Sequence, residues 1–480
     1  MKPMEKGWFK PRMYMHITDR VRERDRDRVT RLVQNDEYIG QRHAFFPLLL
    51  KEVKTRRFKK CVDQHGHTYR SHVNRETGKS NTKIREIEYA THLDSQIFAW
   101  YRHLITERYE EYLKTIPGLS GCILAYRGDR HREPNGKGKT NVHFARDLII
   151  EIEKREECAI LTFDVERFFP SLNHRILKTA WANLFGWEQL PQHHYAVFKA
   201  ATKYSYIRLS NLREKYGGFD EGRLAQLRRR GMEAFFENAA EFREKVKRGE
   251  LKIFKNREKG IPHGLPISAT LANLYMLEFD KIMFFEAVQT LGAIYLRYSD
   301  DIAIVCAPEQ IPIIEGLVSR SIALANLSLS QDKSEVFIFK KETNGRRLIC
   351  RRDKIHGYEK ASALTYLGLS FDGKNTTVKP TVWAKYYRRL KRAQKTLTRR
   401  LQIVKERDLL LHLPNFWNRK ICMAFTKKGS RVRKCSIFRH VLRPHPDTNE
   451  FRFVREKRMQ KKWGNTLTYV NRVRRLLNNP

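Results

Sequence analysis

The 480-residue chain reads as an α+β protein on three observations. First, Cys158-Ala-Ile-Leu-Thr-Phe-Asp164 is a short apolar run ending in one carboxylate. Past Val165-Glu-Arg-Phe-Phe-Pro170, apolar positions Leu172, Ile176, Leu177, Ala180 and Leu184 take up helical spacing, so strand, acid, turn and helix follow in order. Second, Ala293 to Cys306 holds two apolar β-type runs split by a tight turn that carries Asp300 and Asp301. Third, Leu390, Ala393, Leu397, Leu401 and Val404 recur every three or four residues, the stripe of an amphipathic helix whose other faces are basic.

Taken in chain order, residues 1–80 are strongly charged. Asp19-Arg-Val-Arg-Glu-Arg-Asp-Arg-Asp-Arg28 predicts an exposed helix laced with opposite charges, part of an N-terminal extension that contacts RNA or a partner subunit. Cys61, His65, His67 and His72 lie close together, but their spacing fits no standard zinc motif and an exposed basic loop is the expectation. Residues 81–160 carry helices and strands, and 161–375 hold both acidic strand ends. Within the latter, 217–250 reads as a charged, solvated helical insertion. Residues 376–480 are basic and helical. The net charge of +42 predicts strong attraction to polyphosphate that weakens with salt. No run approaches the roughly 20 apolar residues of a membrane span, and Met1-Lys-Pro-Met-Glu-Lys-Gly7 lacks a signal-type apolar core, so a soluble cytoplasmic protein is expected. Seven scattered cysteines without a Cys-x-x-Cys pair point to reduced thiols.

Two neighbouring aspartates repel unless a cation sits between them. The blander reading, a solvated acidic turn, loses ground because a second strand ends in Asp164. Strand-end acids from two segments suit Mg²⁺, which takes oxygen ligands and leaves positions for water and phosphate. Two such ions about 4 Å apart stabilise both oxygens of an in-line phosphoryl transfer.

Phe163-Asp-Val-Glu-Arg-Phe-Phe169, Gly260-Ile-Pro-His-Gly-Leu-Pro-Ile-Ser268 and Tyr298-Ser-Asp-Asp301, in that order, resemble motifs A, B and C of reverse transcriptases. Lys83 to Phe98 is similar to the N-terminal region of bacterial defence-associated members, the abortive-infection and unknown-group lineages. The resemblance implies a right-hand polymerase: fingers over 81–160, an antiparallel-sheet palm with helices over 161–375, and a helical thumb over 376–480. It implies an RNA-directed DNA polymerase using two Mg²⁺ ions, with Mn²⁺ as a substitute. Asp164, Asp300, Asp301 and the Val165 carbonyl would hold the ions, and Lys333 of a motif D-like segment would protonate the leaving pyrophosphate. Arg127, Lys137 and Lys139 would clamp the triphosphate. Phe169 would exclude the ribose 2′-hydroxyl, and Gly264 would let the backbone approach the nascent base pair. His263 stands where many members have glutamine, and an imidazole donates fewer hydrogen bonds and can carry charge, which puts template dependence in doubt. Tyr366, Leu367 and Gly368 resemble the primer grip. Arg388, Arg389, Lys391, Arg392, Lys395, Arg399 and Arg400 would meet nucleic acid.

The implied partners are a noncoding RNA as template or scaffold, a DNA product, dNTPs and a further copy of the chain, in antiviral defence. Two other readings stay open: a template-independent or protein-primed DNA synthase on the same palm, and a non-catalytic RNA-binding scaffold.

Overall fold

The computed structural model describes residues 7–78, 80–128, 131–132, 136, 138–215, 226, 229–256, 258–341, 348–352, 360–382, 384–385, 388–389, 391–392 and 395–396. Lys137, Arg399, Arg400, and most of the expected thumb lie outside these residues. The chain divides into two compact units. The first comprises Met1–Asp129, Phe163–Ile302 and Ile313–Lys333, and the second comprises Arg130–Thr162, Ala303–Pro312 and Ser334–Pro480.

In the first unit, strand β1 (Leu48–Arg56) is followed by the small hairpin β2 (Lys59–Val62) and β3 (Thr68–Ser71), and then by β4 (Thr82–Tyr89). β1 and β4 pair antiparallel from Leu49↔Tyr89 to Arg56↔Thr82, so the boundary expected near residue 80 falls inside a single ladder. The helix His92–Lys114 follows, capped by Thr91, whose hydroxyl accepts from the Asp94 N–H at 3.3 Å. Strand β5 (Glu157–Asp164) crosses from the second unit into the first and ends at its acid. The helix expected after it runs His174–Phe185, with the Asn173 side chain accepting from Arg175 and Ile176 N–H groups. β6 (Ser205–Arg208) and β7 (Phe254–Lys255) complete the sheet order β4-β1-β6-β7. β8 (Ile294–Tyr298) and β9 (Asp301–Cys306) form the expected hairpin, with Ser299 and Asp300 at its turn.

Two expectations change. The N-terminal segment is built into the first unit rather than appended to it. Trp8 packs edge-on to Trp100 at 5.3 Å, Met15 and Ile17 are buried, and the Tyr14 hydroxyl donates to Ala90 O. The 217–250 insertion, where described, is not a solvated pair. Phe235, Phe236 and Phe242 enter one core with Met15, Ile17, Leu49 and Ile207, and the Phe235 N–H donates to His16 O at 2.8 Å. Burying three phenylalanines outweighs the surrounding charge, since each is worth about 1.5–3 kcal/mol.

In the second unit, β10 (Glu335–Lys341), β11 (Leu348–Arg352) and β12 (Lys360–Ala361) belong to a different sheet, in which the order runs β12-β11-β10-β5-β9. β5 reads as a continuous apolar run because Cys158 to Leu161 are buried. A separate three-stranded sheet holds β13 (Leu364–Tyr366), β14 (Leu369–Phe371) and β15 (Thr376–Val378). No helix among the described residues is long and apolar enough to cross a membrane.

Candidate active site

The acids meet in the first unit because backbone bonds knit three separate segments. Val165 N–H donates to Asp300 O at 3.3 Å, tying the end of β5 to the β8–β9 turn. Glu166 N–H donates to Ser328 O and Ser330 N–H to Asp164 O, both at 2.8 Å, bringing in the segment that ends at Lys333. The Lys333 ammonium pairs with Asp164 Oδ2. Asp300 is held above the usual carboxylate range, first by burial and then by the like charge of Asp164. Asp301 is exposed at the start of β9. Among the described residues no group of three or more His, Cys, Asp or Glu is gathered to hold a metal by itself. In the β2–β3 region, Cys61 Sγ accepts from Asn81 Nδ2 at 3.4 Å.

A buried ionic network stands behind the turn. Arg297, fully buried, donates through Nε and Nη2 to both oxygens of Asp280 at 2.6 and 2.5 Å. Its Nη1 donates to Ser299 O at 3.1 Å and to Asn273 Oδ1 at 3.2 Å. Ser299 has φ 63°, a left-handed conformation that costs a non-glycine residue about 1–2 kcal/mol, so the turn preceding Asp300 needs such support. Sequence reasoning missed this network, although Arg297 sits three residues before Asp300.

The motif B loop is fastened on two sides. Gly260 N–H donates to Leu172 O and Ile261 N–H to Phe169 O, while His263 and Glu88 exchange bonds: Glu88 N–H to His263 O at 2.8 Å and His263 N–H to Glu88 Oε2 at 2.9 Å. Gly264 has φ 131°, and a Cβ there would lie 2.3 Å from Glu88 O. The close approach that this glycine permits in the structure is to β4. The His263 ring lies 4.5 Å from that of Phe169, and burial together with Arg85 and Lys83 lowers its proton affinity, so it is neutral rather than charged. Phe168 fills the core, leaving Phe169 half-buried beside His263.

Arg127 is spent elsewhere. Its buried guanidinium donates to both Glu110 oxygens, to Ser120 O and Oγ, and to Ile123 O. This corrects its expected place in a triphosphate clamp, because a fully satisfied buried arginine has no donor to offer. Besides Lys333, Lys83 on β4 feels the charge of Asp164, and Arg85 on the same strand stands near Lys83 and His263. Burial lowers the Lys83 pKa first, then the charges of Arg85, Arg57 and Lys333, with Asp164 opposing them. Alternating cations across a strand-pair face were the available signal, and the long-range register of β4 hid it.

In the second unit, Lys139 pairs with Asp147 at 2.7 Å. Leu367 has φ 44° and Gly368 φ 94°, and Leu367 O accepts from Asn141 Nδ2 at 3.2 Å. Tyr366 is buried. Arg388, Arg389, Lys391, Arg392 and Lys395 are helical and exposed.

Residues 134–371 match the family described as "Reverse transcriptase (RNA-dependent DNA polymerase)". The chain contains a reverse transcriptase domain. The matched domain is of the RNA-directed DNA polymerase class, a nucleotidyltransferase class. Among curated proteins none matches the sequence. Similar solved structures include apo telomerase from Candida tropicalis truncated from its C-terminal domain, at 9% identity and a TM-score of 0.38, covering 69% of this chain and 57% of that one. Another is telomerase from Candida albicans with a fragment of telomeric RNA, at 11% identity and a TM-score of 0.36, covering 68% and 47%. The chain thus spans about half the length of these structures.

Proposed function

We propose that this protein extends a primer with deoxynucleotides on an RNA template, that it works with a noncoding RNA, and that it serves antiviral defence. The observation that carries the polymerase reading is the stitching of Asp164, Asp300 and Lys333 into one corner of the reverse transcriptase domain. The defence role rests on the resemblance of Lys83 to Phe98 alone.

The donor set fits Mg²⁺. Asp164 and Asp300 are two hard carboxylates, the Asp300 pKa is raised first by burial and then by the Asp164 charge, and an ammonium already lies against Asp164. Asp164 and Asp300, with Asp301 and the Val165 carbonyl, would hold the ions, while water and triphosphate oxygens fill the other positions. When bound, the ions supply charge neutralisation of the triphosphate and activation of the primer hydroxyl. The chain's own groups do the positioning. Lys83 and Arg85 offer charge to the phosphates, Lys333 offers a proton to the leaving pyrophosphate, and the Phe169 ring, backed by His263, crowds a ribose 2′-oxygen. Lys137, Lys139, the Tyr366–Gly368 turn and the helical cations from Arg388 to Lys395 serve substrate and strand contacts in the same reading.

His263 in place of an amide favours a second reading, untemplated or protein-primed synthesis. Purified protein with its bound nucleic acid, given Mg²⁺ and labelled dNTPs singly and together, separates the two. RNase-sensitive incorporation that needs several dNTPs supports templated synthesis, and RNase-resistant incorporation of one or two dNTPs supports the alternative.

A further inference from the structure

The motif B loop, residues 260–264, is wedged between two parts of the first unit. On one side lies the segment that carries Phe169. Ile261 N–H donates to Phe169 O at 3.0 Å, a Cβ at Gly260 would stand 2.6 Å from Pro170 O, and the His263 ring is 4.5 Å from the Phe169 ring. On the other side lies the end of β4. Glu88, which pairs with Leu50 of β1, donates its N–H to His263 O at 2.8 Å, and its Oε2 accepts the His263 N–H at 2.9 Å. The Glu88 carbonyl faces Gly264 instead, 2.3 Å from where a Cβ would be. The side-chain oxygen thus supplies the acceptor that a neighbouring strand's carbonyl supplies in an ordinary ladder.

Glu88 is 6% exposed, too buried to meet a nucleotide itself, so its reach to the chemistry runs through the loop. We propose that Glu88 is a positioning residue for sugar selection: by clasping the His263 N–H it fixes the loop, and through the His263 ring it holds the Phe169 ring against a ribose 2′-oxygen. The inference rests on the gate reading of Phe169 given above and deepens it. Rings 4.5 Å apart are in contact, so a shift of the loop is passed to Phe169. The position requires an acceptor rather than a charge, since burial favours the uncharged acid. Glutamine copies that form. Leucine keeps the bulk but leaves the His263 N–H without its side-chain acceptor. The carboxyl also meets the Tyr204 hydroxyl, a contact that Tyr204→Phe removes while leaving the clasp in place.

The test measures kcat and KM for dNTP and for rNTP on an RNA template in the full-length parent, Glu88→Gln, Glu88→Leu, Tyr204→Phe, Phe169→Ala and Glu88→Leu/Phe169→Ala. Amide deuterium exchange of residues 260–264 and thermal melting are read on the same preparations. Glu88→Asp, which withdraws the acceptor by one methylene, takes the place of the leucine variant if that one does not fold. A misplacement of about 1 Å has large effects at a reacting centre, so discrimination against rNTP should fall roughly fivefold or more in Glu88→Leu, mostly through a lower KM for rNTP. The loop should also exchange faster in that variant. Glu88→Gln and Tyr204→Phe should keep discrimination and loop exchange within about twofold of the parent. Adding Glu88→Leu to Phe169→Ala should change discrimination by less than about twofold, because residues that act through one another are not additive. Parental discrimination in Glu88→Leu overturns the proposal, as do losses that multiply in the double variant or an equal loss in Tyr204→Phe. Phe169→Ala with parental discrimination, or a parent that extends no primer, removes the gate reading instead. Loop exchange then decides the clasp by itself: faster exchange confined to Glu88→Leu supports it, and unchanged exchange overturns it.

Discussion

Replacing Arg297 by methionine isolates what the buried network contributes to catalysis. The change keeps volume but leaves the Asp280 carboxylate fully buried without its guanidinium; among the described residues the Tyr295 hydroxyl, at 2.5 Å, still donates to it. Breaking a buried pair from one side costs about 3–5 kcal/mol. That is a large part of the roughly 5–15 kcal/mol that holds a domain together. The first unit should melt on the order of 10 °C lower, at about 2–4 °C per kcal/mol. The Arg297→Met/Asp280→Leu double variant removes both charges and should recover most of that loss, because a well-packed apolar pair is often as stable as the ionic one. It does not recover the hydrogen bond to Ser299 O, so the strained turn before Asp300 loses its anchor. A misplacement of about 1 Å at a reacting centre can cost on the order of 100-fold in rate. We therefore expect the double variant to melt near the parent but to extend primer at least tenfold more slowly, with the loss in kcat rather than in KM for dNTP. Melting curves and steady-state extension on the same preparations decide it. A double variant with parental kcat, or an Arg297→Met single variant with parental stability, refutes the reasoning.

Three other outcomes follow from the same geometry. Burial pushes the Glu88 pKa up to about 7 from its ordinary 4.5; the protonated acid is the form the fold favours, so its stabilisation is complete below about pH 4.5, is lost as pH rises through 7, and amounts to on the order of 3 kcal/mol. Glu88→Gln, which keeps an acceptor for the His263 N–H, should flatten that part of the stability–pH curve, as read by denaturant unfolding from pH 5 to 8. Phe169→Ala should raise incorporation of rNTP relative to dNTP by at least tenfold in competition assays, whereas Phe168→Ala should instead lower stability by about 3–5 kcal/mol as a core truncation. Lys83→Ala should raise KM for dNTP several-fold at unchanged melting temperature, while Arg127→Ala should lower the melting temperature through the orphaned Glu110, with any change in KM secondary.

The chemistry was legible where it depends on short-range pattern. A β-run ending in Asp164, a tight turn carrying Asp300 and Asp301, and the helix after Asn173 each declare themselves within about ten residues, and the structure contains all three. Lys333 was placed through its motif, and it reaches Asp164. What stayed hidden depends on partners far apart in the chain. Arg127 looked available because its partner Glu110 lies on a different element, 17 residues earlier. Nothing local to Gly264 reveals that Glu88 O packs against it. Lys83 lies far from Asp164 in the chain, and only the fold brings the two charges within reach. Charge also masked the core: Trp8, Phe235 and Phe242 sit in stretches whose composition suggests solvent exposure, yet all three are buried.

The central claim, that Asp164 and Asp300 form the catalytic centre of an RNA-directed DNA polymerase, is tested most directly by primer extension on a defined RNA template with Mg²⁺ and all four dNTPs, comparing the parent with Asp164→Asn and Asp300→Asn. The account predicts template-encoded product from the parent and at least a thousandfold loss in each variant, with melting temperature unchanged or higher for Asp300→Asn because its buried charge is gone. Parental extension by either variant, or no extension by a folded, RNA-binding parent under conditions that support a control polymerase, would contradict it.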